Sequence, residues 1–235
     1  MAQYDYLIFD ADHTLIDFDE DERRAFRAAF RSAGKAYTEE WSEECWRFSA
    51  QNWADLGLTE VHLPDTRARY HALYYDHVRA ILDFMDASFG LGEGRERASR
   101  AFSETLARPA HLVDGAQEVL DALGKRYRLC IATNGLSAMQ AGRLSDVRSR
   151  FAHVFVSEEM GLVKPDVGFF RHVLAVLGTT AERCLMIGDS LSSDVAGANA
   201  VGMDCVWFHR RQESLPPDLR VKAVISDLRE LLSIL

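Results

Sequence analysis

Near the start of the chain a run of four apolar residues, Tyr6-Leu7-Ile8-Phe9, stops at an acid, Asp10. An uninterrupted apolar run predicts a strand buried on both faces, because a strand with one wet face alternates in polarity. Similar runs recur far along the chain. They are Leu129-Cys130-Ile131-Ala132, Val154-Phe155-Val156, Cys184-Leu185-Met186-Ile187 and Cys205-Val206-Trp207-Phe208, with a shorter Ala223-Val224-Ile225. Between them lie stretches that read as helix. One runs from Gly115 to Gly124 behind Asp114, with Gln117 spaced for a near capping box. Others run from Ser137 to Val147, from Asp166 to Leu177 with a stop at Gly178, from Ser192 to Ala200 and from Asp227 to Leu235. Strands alternating with helices imply an α/β fold, a doubly wound parallel sheet covered on both faces.

One long stretch breaks the alternation. Between residues 17 and 109 the pattern is helical throughout. Asp19 to Ala33 carries Ala25, Phe26, Ala29 and Phe30 on one face. Arg23, Arg24, Arg27 and Arg31 lie opposite and read as a solvated face. Thr38 to Leu56 follows, with Thr38 as its cap, then Thr66 to Ala87 and Arg95 to Ala107. Gly90, Gly92 and Gly94 separate the last two. They follow a helix and not a strand, so they read as a loop and not as a dinucleotide cradle. The expected organisation is a core made of 1–16 and 110–235, with 17–109 inserted as an all-helical domain. With 235 residues, 48% of them apolar, the chain can bury a core of that size. The aromatics of the insert (Trp41, Trp46, Phe48, Trp53, Tyr70, Tyr74, Tyr75 and Phe84) read mostly as helix-packing residues. A stacking platform for a ring-bearing ligand is the sharper alternative.

Composition excludes several classes. A net charge of -9 argues against a nucleic-acid polymer as main partner. No stretch is apolar enough to span a membrane, and Met1-Ala2-Gln3-Tyr4-Asp5 lacks the marks of a secretory leader. Cys45, Cys130, Cys184 and Cys205 form no C-x-x-C pair and read as buried reduced thiols of a cytoplasmic protein. The eight histidines show no ligand spacing, so zinc is not expected. The assembly expected is a monomer or a homodimer.

In a parallel sheet, ligands bind beyond the carboxyl ends of the strands, so the residues after each run matter most. They are Asp10-Ala11-Asp12-His13-Thr14, Thr133-Asn134-Gly135, Lys164-Pro165 and Gly188-Asp189-Ser190, with Asp194 five residues after Asp189. Each has an ordinary explanation alone, as a cap, a turn or the start of a helix. Together they supply the parts of a phosphoryl transfer. Asp10 can act as nucleophile. Asp12, two residues on, would lie on the same side of an extended segment and serve as acid and then base. That role needs a carboxyl still protonated near neutral pH, which a neighbouring carboxylate in a closed site can bring about. Thr133 and Asn134 would donate to phosphate oxygens, and Lys164 would balance their charge. Asp189 would complete an oxygen site for Mg²⁺, with Asp194 orienting water behind it.

These four segments, in this order and spacing, resemble the four motifs of the haloacid dehalogenase-like hydrolase superfamily. The helical insert is similar to that superfamily's helical cap. The resemblance covers the whole chain. It implies a Rossmann-like core, Mg²⁺, an aspartyl-phosphate on Asp10, and a metal held by the carboxylates of Asp10 and Asp189 with the main-chain carbonyl of Asp12. Asp12 points to the phosphatases of the superfamily, because its dehalogenases lack the second acid. His13-Thr14 stands where its sugar mutases usually carry Gly-Val. Thr133-Asn134-Gly135, Ser157-Glu158-Glu159-Met160-Gly161 and Lys164-Pro165-Asp166 look like the 5′-nucleotidase branch acting on pyrimidine and non-standard nucleoside monophosphates. The implied partner is a small phosphate ester. A phosphoglycolate or sugar-phosphate phosphatase is the alternative, and a non-catalytic phosphate-binding module is a third reading. His13 departs from the commoner Gly or Asp of the motif, which bears on substrate choice.

Overall fold

The computed structural model describes residues 3–209 and 214–235. Arg210 and Arg211, read from the sequence with His209 as a solvated loop, lie outside them. The described chain forms two compact units, one of Met1–Asp17, Leu112–Ser137 and Asp146–Leu235, the other of Phe18–His111 and Ala138–Ser145.

The first unit is built on a six-stranded parallel sheet of order β3-β2-β1-β4-β5-β6. The strands are β1 (Tyr6–Phe9), β2 (Arg128–Thr133), β3 (His153–Val156), β4 (Cys184–Gly188), β5 (Asp204–Phe208) and β6 (Ala223–Ile225). All four residues of β1 are buried, as a central parallel strand requires. Tyr6, Ile8, Cys130, Ala132, Met186 and Trp207 point to one face and pack with Phe169, Phe170 and Val173 of α8 (Val167–Leu177). The alternate residues Leu7, Phe9, Leu129, Ile131, Leu185 and Ile187 are buried as well, so neither face is wet.

Strand order turns at β1. Phe9 is level with Ile131 of β2 on one side and Ile187 of β4 on the other. Because the strands are parallel, the segments that follow β1, β2 and β4 emerge side by side on one edge.

The helices of this unit are α5 (Ala116–Leu123), α7 (Ser157–Met160), α8, α9 (Ala196–Ala200) and α10 (Leu231–Ile234). Three depart from expectation. The start of α5 has no capping box. Gly115 is its N-cap, with φ 78°, and provides no side-chain bond. Asp114 instead pairs with Arg229 at 2.7 Å, and Gln117 donates to Asp121. A helix from Ser192 is replaced by a wide five-residue π turn, Leu191–Val195, that runs into α9. Asp227 to Leu235 opens as a tight turn with a true capping box between Asp227 and Glu230. Elsewhere Asp166 caps α8 by accepting from the Gly168 N–H, and Gly178 ends it at φ 60°.

The second unit contains α1 (Phe18–Ser32), α2 (Glu39–Asp55), α3 (Pro64–Phe89) and α4 (Arg95–Leu106). Thr38 caps α2 through the Trp41 N–H. Ala25, Phe26, Ala29 and Phe30 are fully buried against Cys45, Ile81, Met85, Ala98 and Phe102. Gly94 permits the α1–α4 approach, since a Cβ there would fall 2.7 Å from Ala33. Most insert aromatics pack against each other: Phe48 stacks on Phe84 at 4.1 Å, and Trp53 meets Tyr70 and Tyr74 edge-on. Tyr75 is the most exposed of them, at 52%. The α1 arginines are not simply solvated. Arg23 pairs with Glu43, Arg27 with Glu39, and Arg24 with the buried Asp21. The helix read as Ser137 to Val147 is shorter, α6 (Ser137–Arg143), and residues 138–145 group with this unit. There Arg143 is fully buried, 3.4 Å from Asp21 and over the ring of Phe18.

Candidate active site

Asp10 continues the β1 ladder by donating its N–H to Ile187 O at 2.8 Å. Its side chain is buried at the carboxyl edge of the sheet. Lys164, also buried, reaches it from the segment before α8. The ammonium donates to Asp10 Oδ1 at 2.7 Å, to Asp194 Oδ1 at 2.7 Å and to the Ala132 carbonyl at 2.6 Å. These three bonds use all its protons and fix its place between β1 and β2.

Two devices hold the lysine and its partner. Asn134 brackets the main chain of Lys164, accepting from its N–H at 2.8 Å and donating to its carbonyl at 2.9 Å. The sequence reading assigned Asn134 to the phosphate, and the structure adds this positioning duty. Asp194 lies in the π turn, where Oδ2 accepts from the Ser190 N–H. It rests directly on the end of β4. A Cβ at Gly188 would sit 2.2 Å from Asp194 Oδ2, so the position admits only glycine without displacement.

Asp10, Asp189 and Asp194 each place a carboxylate oxygen within 4.8 Å of the others. Burial pushes the pKa of Asp10 well above the ordinary carboxylate range. The Lys164 ammonium pulls it back, and Asp194 and Asp189 push it further up. Burial also opposes the charge on Lys164, but the carboxylates of Asp10 and Asp194 outweigh it and hold the lysine above its usual value. Three carboxylates around one ammonium leave the cluster two negative charges in excess if all are ionised. A small divalent cation on hard oxygen ligands matches that deficit, so the donor set fits Mg²⁺.

Thr133 is buried at the last position of β2, while Asp12 and Asp189 are half-buried. His13 follows Asp12 with φ 61°, a left-handed backbone. Its N–H donates to Ile16 O, closing the turn that carries the chain out of the site. The short helix α7 supports the same edge. Ser157 Oγ accepts from the Gly135 N–H at 3.2 Å, and Glu158 accepts from the Ser137 N–H at 2.7 Å. All seven residues singled out from the sequence therefore belong to one unit. Asp10, Asp194, Lys164 and Asn134 are joined in one hydrogen-bonded set, and Asp189 lies beside it.

The sequence reading placed Gly188, Ser157 and Glu158 inside its motifs but gave them no supporting role. It also missed four buried polar residues of the helical unit. Glu22 and Asp21 on α1, Ser49 on α2 and His77 on α3 are each under a tenth exposed. A signal was present. Glu22 falls three and four residues before Ala25 and Phe26, on the apolar stripe where an acid has no solvent.

The model of the haloacid dehalogenase-like hydrolase family matches residues 4–202. Pyrimidine 5′-nucleotidase PynA of Streptococcus pneumoniae is 32% identical over 211 residues, covering 88% of this chain and 84% of that protein. Pyrimidine 5′-nucleotidase YjjG of Escherichia coli is 26% identical across 97% of this chain and 96% of its own. Among solved structures, the putative hydrolase YfnB of Bacillus subtilis, described as bound to magnesium, superposes with a TM-score of 0.78 at 26% identity, covering 99% of both chains. By its matched family model and by the nucleotidases it resembles over nearly its full length, this chain belongs to the haloacid dehalogenase-like hydrolase family.

Proposed function

We propose that this protein hydrolyses a nucleoside 5′-monophosphate, with a pyrimidine base, through an aspartyl-phosphate on Asp10. It is a phosphoric monoester hydrolase of its family, and the finer substrate is the proposal. The observation that carries the chemistry is the Lys164 ammonium, held between Asp10 and Asp194 with Asp189 beside them. The relatives named pyrimidine 5′-nucleotidase support the substrate class. Four fully buried, unpaired thiols support a reducing, cytoplasmic setting.

In the reaction, a carboxylate oxygen of Asp10 attacks phosphorus in line with the leaving 5′ oxygen. Asp12 gives its proton to that oxygen as the bond breaks, and the nucleoside departs neutral. Asp12, now ionised, takes a proton from the water that attacks the aspartyl-phosphate. Phosphate leaves and Asp10 is restored. Lys164 balances the charge gathered at Asp10, while the Thr133 hydroxyl and N–H, with Asn134, donate to the equatorial oxygens. Asp10 and Asp189 through carboxylates, and Asp12 through its carbonyl, would hold Mg²⁺, with Asp194 behind them. When bound, the ion neutralises charge on the phosphoryl oxygens and favours ionised Asp10.

The test is a panel of phosphate esters with Mg²⁺, scored by released phosphate. The expected result is pyrimidine nucleoside monophosphates ahead of purine nucleotides, sugar phosphates and small phosphorylated acids. A tenfold preference needs only about 1.4 kcal/mol of transition-state binding. Faster turnover of a sugar or acid phosphate would overturn the substrate and leave the chemistry standing.

A further inference from the structure

Lys164 holds the carboxylates of Asp10 and Asp194. Asp189 is placed by other means. It follows Gly188, the last residue of β4, and its main-chain carbonyl accepts a hydrogen bond from Trp207 Nε1 of β5 at 2.8 Å. Trp207 is level with Gly188 across the β4–β5 ladder, so its indole stands beside the segment that leaves β4. It is 3% exposed and shares the core of that face with Met186 and Val195. The His209 ring lies 4.4 Å from it, centre to centre. An indole N–H can only donate, and a buried one needs an acceptor. A main-chain carbonyl shielded from water needs a donor. Each group here answers the need of the other.

The bond also fixes a direction. The peptide that joins Asp189 to Ser190 is planar, so its two ends move together. At one end the carbonyl is held by Trp207. At the other the Ser190 N–H donates to Asp194 Oδ2 at 3.1 Å. The peptide before Asp189 belongs to the end of β4, which is paired with β5 at Gly188. With the planes before and after it held, Asp189 has little freedom in φ and ψ, and the direction of its Cα–Cβ bond is set. That direction brings a carboxylate oxygen within 4.8 Å of those of Asp10 and Asp194. A ligand on a loose main chain would have to be ordered each time an ion binds, which weakens binding.

We propose that Trp207 is a positioning residue for Asp189: its indole N–H fixes the main chain of that acid and thereby tightens Mg²⁺ binding, without touching the ion. This role rests on Asp189 being a ligand of Mg²⁺, as proposed for the reaction. Bulk alone is the competing role for a buried tryptophan, and the two separate in what they change. Lost packing lowers the stability of the metal-free protein and leaves the affinity of a folded site alone. Lost positioning raises the dissociation constant for Mg²⁺.

The experiment measures Mg²⁺ binding by calorimetry on metal-stripped parent, W207F and V206A. Phenylalanine keeps an aromatic ring in the core and removes the donor. V206A truncates the neighbouring residue of β5, fully buried on the other face of the strand, and leaves the indole in place. The dissociation constant should rise about tenfold in W207F and stay within about twofold of the parent in V206A, as expected when only the first loses a group that orients a metal ligand. Equal affinity in parent and W207F, or equal weakening in W207F and V206A, overturns the role of Trp207 while the metal site stands. A parent that takes up no Mg²⁺ overturns the metal reading itself, and this role with it. A second measurement needs no variant. If the indole bond favours the ion, the ion must favour the indole bond by the same factor. Nitrogen-15 NMR therefore times solvent exchange of the Trp207 indole proton with and without Mg²⁺. Bound metal should slow it about tenfold relative to the indoles of Trp41, Trp46 and Trp53. A rate that Mg²⁺ leaves unchanged relative to theirs overturns the proposal.

Discussion

Lys164 Nζ lies 2.7 Å from Asp10 Oδ1, although 154 residues separate them in the chain. The contact exists because Asp10 leaves the central strand β1 on the edge where Asn134 pins the main chain of Lys164. Its environment decides its worth. A surface pair of this kind contributes little, whereas a buried one cannot lose a partner cheaply.

Replacing Lys164 with methionine removes the ammonium and leaves Asp10 and Asp194 facing each other without it. The expected loss is about 3–5 kcal/mol of stability, read by urea unfolding, together with loss of turnover. The double variant K164M/D194N should recover part of that stability, since it removes one of the stranded charges. Equal stabilities for parent and K164M would contradict the buried pair.

Asp10→Asn keeps the shape of the side chain and removes the proposed nucleophile. Phosphate release should fall by about four orders of magnitude, with the circular dichroism spectrum unchanged. Parent-like turnover in this variant would end the nucleophile assignment.

Chelation should stop phosphate release, and added Mg²⁺ should restore it. The ion should also raise the melting temperature, by an amount equivalent to about 2.7 kcal/mol at a hundredfold excess over its dissociation constant. Turnover that persists in excess chelator would count against the oxygen site of Asp10, Asp12 and Asp189.

Gly188→Ala sets a methyl where Asp194 Oδ2 now lies, at a separation of 2.2 Å. Asp194 must move, and with it one of the three bonds of Lys164. The expected cost is about 1–3 kcal/mol in stability, with kcat lowered about tenfold or more by misplacement at the site. A variant as active and as stable as the parent would mean that the carboxylate has another place to go.

The candidate site's edge was legible because its signals are local. An apolar run marks each central strand, and the first polar residue after it marks the edge. Asp10 and Asp189 sit where that rule puts them. The supports were less legible because each depends on a distant partner. Asp114 looks like a cap until Arg229 takes its carboxylate. Asn134 looks like a turn residue until Lys164 arrives from 30 positions away. The π turn at Leu191–Val195 is a tertiary outcome, with Asp194 tied to Lys164 and to the Ser190 N–H. Glu22 and His77 carried a readable sign, polar residues at apolar positions of α1 and α3. Only their meeting at Ser49 explains it.

Whether Asp10 takes the phosphoryl group can be read by chemical trapping. Borohydride reduces an acyl phosphate to the alcohol, so the parent quenched during turnover should yield homoserine at position 10. That product should require substrate and be missing from D10N. An unmodified residue 10 during turnover, or reduction at another acid instead, would contradict the account.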